Sequence, residues 1–166
     1  MRLYPSTRET QPVLQVDYPF PTADKPQSKT WFGHDCWWAV LPRLVGPSLW
    51  QRTDAGWVEH TEVQAALTGL PGRADVWWDG ESATAVSAAD RIIRVFRLRP
   101  VEAEARSWRA EVLATLPAPA DDAIETVTLA RDAGGEWWIA TVVQEKVYAW
   151  SSMVPAGSDR TQRGRR

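Results

Sequence analysis

An all-β protein assembled from repeated four-stranded sheets is predicted by three features of this 166-residue sequence. Tryptophan dominates the aromatics, with 11 Trp against 3 Phe and 3 Tyr, and a flat indole with one polar edge suits half-buried sheet surfaces. Short aromatic or β-branched runs alternate with Gly- and Asp-bearing turns, as successive short strands do. The pattern also recurs. Ser28 to Arg73 is a step of 45 residues and Arg73 to Ile124 one of 51, and four strands in about 45 residues is the size of a propeller blade.

The first unit places strands at Ser28–Phe32, Trp37–Leu41, Ser48–Arg52 and Trp57–Glu62, with turns at Gly33–Asp35, Val45–Pro47 and Asp54–Gly56. The second places them at Arg73–Trp78, Ala83–Ser87, Ile92–Leu98 and Trp108–Leu113. The third has Ile124–Ala130, Trp137–Val143 and Lys146–Trp150, where the pattern stops. Two stretches admit a helix. Val101, Ala105, Trp108, Val112 and Leu116 are spaced by three to four, so a short helix over 102–113 competes with the fourth strand. Thr61–Leu70 has the look of a single helical turn before Pro71-Gly72.

Pro5, Pro12, Pro19, Pro21 and Pro26 exclude a long helix at the start. The expected organisation is an extended lead-in over 1–26 and a partial β-propeller over 27–155. Its blades span about 28–64, 73–116 and 124–152, and a disordered basic tail follows over 156–166. Formal charge is −2, which argues against a nucleic-acid partner held by broad phosphate neutralisation. No run has the length of a membrane-spanning helix, and no apolar stretch of a signal peptide opens the sequence. With Cys36 alone, no internal disulfide forms.

Asp132-Ala133-Gly134-Gly135-Glu136-Trp137 resembles the D-x-G-x-x-W turn, or Asp-box, of sialidase-like bacterial β-propellers, although Ala130 stands where that family has Ser or Thr. In this likeness Asp132, Gly134 and Trp137 are structural: the Asp ties back to turn amides, the Gly takes a left-handed backbone and the Trp packs between blades. Lys25 to Lys29 with Trp37 to Pro42, Arg73 to Val76 with Trp78-Asp79-Gly80, and Ile124 to Asp132 look like the successive blades of such propellers. The resemblance implies a closed ring of six or seven blades, mostly extracellular. About two and a half blades fall short of the four or so that closure needs. A fragment, or a half that assembles with a second copy or a complementary chain, is therefore expected.

Lys29, Arg73, Asp75 and Glu125 start the inner strands and are the candidate ligand-binding residues, all able to face a common central mouth. The same positions also suit hydrogen bonds that bridge neighbouring blades. Sialidase chemistry needs three arginines around a carboxylate and a Tyr–Glu pair. Three such arginines do not fall at the mouth, and Tyr148 has no evident acidic partner. A non-catalytic module recognising a glycan or a protein is expected. A glycosidase half-site completed on assembly and a truncated product without activity stand as alternatives. His34, Asp35, Cys36 and His60 lack metal-ligand spacing, and Gly69–Gly72 and Gly134–Gly135 open no helix, so no metal or cofactor is expected. One Trp of each doublet (37/38, 77/78, 137/138) should fill the interior, while Trp50, Trp57, Trp108 and Trp150 are the candidates for surface contact.

Overall fold

A computed structural model describes residues 14–18, 27–102, 107–118 and 123–152. Most of the lead-in and the basic tail lie outside the described residues. The first sheet comprises β1 (Thr30–Gly33), β2 (Cys36–Arg43), β3 (Gly46–Thr53) and β4 (Gly56–Glu59). The second comprises β5 (Ala74–Trp78), β6 (Ala83–Ala89), β7 (Ile92–Pro100) and β8 (Trp108–Pro117). The third has β9 (Val127–Arg131), β10 (Trp137–Val143) and β11 (Lys146–Ser151). Each sheet is an antiparallel meander whose strands pair in chain order. The molecule is an all-β, partial propeller-like stack of three blades.

Tight turns follow from local chemistry. His34 and Asp35 both take positive φ between β1 and β2, as Gln144 and Glu145 do between β10 and β11, the backbone that matches a two-residue hairpin to strand twist. Between the first two blades a 3-10 turn at Thr61–Val63 leads into α1 (Gln64–Leu67), burying Val63 and Leu67. This is the helical turn expected over Thr61–Leu70. Gly46 accommodates α1. A Cβ there would stand 2.2 Å from the Leu67 carbonyl oxygen, and φ is +141°.

The middle blade is covered on both faces, so β6 runs from Ala83 through Ser87 as consecutive buried small residues. Ala83, Ala85, Phe96 and Leu98 join the core shared with the first blade, and Val86, Ile93 and Val95 the core shared with the third. The helix considered over 102–113 is replaced by strand from Trp108 onward, and residues 103–106 lie outside the described set. Its misleading spacing has a physical origin. A β-bulge opposes Phe96 to Val112 but Val95 to Ala114, so the inward stripe changes face. Trp108 and Ala110 pack toward the first blade, Ala114 and Leu116 toward the third.

Trp108 is 3% exposed, which corrects the expectation of a surface tryptophan. It forms an aromatic cluster with Trp31, Trp38 and Trp78, its ring centroid 4.7 Å from that of Trp38. Trp38 and Trp78 turn inward from their doublets while Trp37 and Trp77 are exposed. In the third doublet the first member, Trp137, packs on the core and Trp138 is exposed. Trp50, Trp57 and Trp150 are half-buried.

Candidate functional site

The inner ends of the three blades meet at one carboxylate. Asp75, second residue of β5, is buried because strands flank it on both sides. Its Oδ1 accepts a hydrogen bond from the Ser28 amide at 2.6 Å and its Oδ2 one from the Leu129 amide at 2.8 Å. The Val76 amide donates to the Ser28 carbonyl at 2.9 Å, closing the link between first and second blades. Burial raises the Asp75 pKa despite the opposing pull of those two amides and of Lys29.

Lys29 lies beside this junction. Its Nζ donates to Gln27 Oε1 at 3.2 Å and to the Ala74 carbonyl at 3.4 Å. Burial lowers its pKa, with the Asp75 charge acting in the other direction and Arg73 adding to the lowering. Gln27 continues the chain of contacts, since its Nε2 donates to the Val127 carbonyl at 3.0 Å. The side chains of 27 and 29 thus bridge all three blades.

Arg73 and Glu125 lie together along an adjoining cleft of about 270 Å³, walled also by Tyr18, Gln27 and Thr126. The Arg73 guanidinium stands 5.8 Å from the centre of the Tyr18 ring, within reach of a cation–π contact. Arg73 Nε and Thr126 Oγ1 are buried and have no hydrogen-bond partner among the described residues. The four sequence-predicted residues therefore form two adjacent groups that share Gln27. Lys29 and Asp75 bind backbone between blades, while Arg73 and Glu125 line the opening. Gln27 and Tyr18 were not singled out from sequence. Gln27 is two residues from Lys29, and strand alternation alone would have placed both on one side.

The two Asp turns lie away from this mouth and share one device. Asp132 Oδ1 accepts from the Glu136 amide at 2.9 Å and Oδ2 from the Trp138 indole at 3.2 Å. Asp79 Oδ1 accepts from the Glu81 and Ser82 amides at 2.9 and 2.7 Å. The left-handed backbone expected at Gly134 falls instead at Gly135, with φ +90°, because the turn tightens one residue later, where Gly135 donates to the Asp132 carbonyl. Trp137 packs on the interior between second and third blades, with Arg131 5.2 Å from its ring centre.

Histidine and cysteine belong to the interior of the first blade. His60 is buried, with Nδ1 2.8 Å from Glu62 Oε1 and Nε2 3.0 Å from Gln51 Oε1. Cys36 is half-buried and lies 3.7 Å from the Gly33 carbonyl. Among the described residues no group of three His, Cys, Asp or Glu could hold a metal ion, and no helix is long and apolar enough to cross a membrane. What the architecture defines is a class, the all-β blade stack with a polar mouth at its inner strands. No family model, curated protein or solved structure matches the chain.

Proposed function

We propose that the chain is a non-catalytic recognition module, a partial propeller of the sialidase-like type, that binds a hydroxyl-rich ligand such as a glycan terminus in the Arg73–Glu125 cleft. One observation carries this reading: Arg73 Nε and Thr126 Oγ1 are buried beside the cleft and have no hydrogen-bond partner among the described residues. Buried polar groups left unpaired cost about 1–3 kcal/mol each, and ligand hydroxyls inside the cleft would remove that cost. The lining suits a sugar. Arg73 and Glu125 bring a donor and a carboxylate to the lining, and the Tyr18 ring supplies a flat apolar wall.

Binding without turnover is supported by the engagement of the Asp75 carboxylate. Both oxygens of Asp75 are held by backbone amides, which supports a structural role for this carboxylate. A glycan array followed by calorimetry tests the reading. Arg73→Ala should weaken the best glycan about tenfold or more while the far-ultraviolet spectrum keeps its β signature, and arylglycosides should remain uncleaved. Equal binding by Arg73→Ala removes the cleft from consideration. Cleavage that disappears in Glu125→Gln replaces the module with a hydrolase.

A second reading, association with another copy or a complementary chain, is favoured by the free faces of the end blades. Phe32 and Trp37 are 55% and 52% exposed and pack edge to face at 5.6 Å on one end. Trp138, Val142 and Val147 are exposed on the other. Apolar faces of this kind mark interaction surfaces, and the three blades fall short of a closed ring. Light scattering should give a discrete oligomer that Trp37→Glu dissociates, and a monomeric wild type would sink this reading.

A further inference from the structure

The second and third blades do not close on one another completely. Between them lies an apolar cleft of about 280 Å³, walled by Leu116, Leu129, Trp137 and Trp150. Thr84 and Arg97 also line it. They are direct partners in the β6–β7 register, so their side chains stand next to each other on the face turned toward the third blade. Thr84 is 1% exposed. Its Oγ1 and the Arg97 Nε are both buried and unpartnered among the described residues.

This is a built polar corner inside an apolar slot. The Arg97 Nε–H donates and the Thr84 hydroxyl can donate, and with no partner for either atom among the described residues the corner suits the two oxygens of an anion. The Arg97 charge is only loosely compensated, since its Nη1 is 3.9 Å from Glu111 Oε1 and that oxygen is closer to Arg99. Two indoles and two leucines then select a flat apolar body. The rim beyond Arg97 carries Arg99 and Arg131 together with Asp79 and Glu81, and Arg131 is engaged with Asp79 at 3.7 Å. A single negative charge fits this corner better than a multiply charged phosphate, because two donors and one partly paired guanidinium leave little else to neutralise it.

We propose that the cleft between the second and third blades binds a small aromatic carboxylate. The ring inserts between Trp137 and Trp150, and the carboxylate lies on the Arg97 Nε and the Thr84 hydroxyl. This site is separate from the Arg73–Glu125 cleft and does not depend on it.

Indole-3-acetate titrated into the full chain tests the assignment, read by calorimetry. Saturable one-site binding is expected, and Trp150→Leu should weaken it. Arg97→Gln should weaken it about tenfold, as should replacing the acid with the neutral indole-3-acetamide. Arg73→Ala should leave it unchanged. The amide probe needs no mutation, so the charge requirement is tested even where a variant fails to fold. Equal affinity for acid and amide, or no saturation at millimolar acid, overturns the proposal.

Discussion

The two junctions between blades differ in strand number and in what fills them. Between the first and second blades the interior is aromatic: Trp31 stacks on Trp78 at 5.8 Å and on Trp38 at 6.5 Å, and Trp108 closes the group. Between the second and third it is aliphatic, built from Val86, Ile93, Val127, Leu129 and Ile139. Packed sheets typically stand about 10 Å apart. Indoles span that gap from both sides. Branched aliphatics fill only its inner part, and Trp137 and Trp150 wall the remaining space rather than occupy it. The open junction therefore differs from the sealed one in its aliphatic filling and in topology, since among the described residues the third blade has three strands and no helical turn packs over it.

The largest expected effect breaks the sealed junction. Trp38→Ala removes a fully buried indole that touches Trp31, Trp108 and His60, and should lower stability by about 3–5 kcal/mol in urea denaturation. Ile139→Ala, beside an existing cleft, should fall at the low end of aliphatic truncations, about 2 kcal/mol. Equal losses at the two sites would mean that the open junction is as tightly packed as the sealed one.

A smaller effect distinguishes the junctions by pH. Asp79 and Asp132 flank the open one, and Arg131 of the third blade reaches Asp79 of the second. Burial pushes the Asp79 carboxyl up, but the amide hydrogen bonds from Ser82 and Glu81 outweigh it. The Glu136 amide and the Trp138 indole lower Asp132, and both groups end below the ordinary 3.8. A folded pKa below the unfolded one means that the stabilisation is complete above 3.8 and fades as pH drops through the lower folded value. Amide exchange at Ser82 and Glu136 should lose protection over that window. Val40 and Val76 at the sealed junction donate to backbone carbonyls and should keep theirs. Simultaneous loss at all four amides would point to global acid unfolding instead.

The strands were legible in the sequence because each pairs β-branched or aromatic residues with a turn of Gly, Asp or Asp-like chemistry. The run Trp137–Val143 coincides with β10 at both ends. The last strand of the second blade was ambiguous because its bulge breaks the two-residue period on which such readings rest. Trp108 was misplaced for a related reason. It opens an outer strand, yet the 3-10 turn packs over it from the first blade, and Glu62 of that turn accepts its amide hydrogen bond at 3.1 Å. Covering by a neighbouring element leaves no periodic trace. At the mouth, the charged residues at inner-strand starts were visible as a group. Tyr18 was not, because its place beside Arg73 is a contact between residues 55 apart that leaves no local pattern.

Asp75 also gives the blades fixed identities. Its two oxygens serve two different neighbours, so the device works only from a blade that has one on each side. The inner strands of the end blades, Thr30–Gly33 and Val127–Arg131, carry no carboxylate. Three units that look like copies in outline are therefore not interchangeable. Shuffling or duplicating them would strand the amides of Ser28 and Leu129, and the order of the modules is written in a single side chain of the central one.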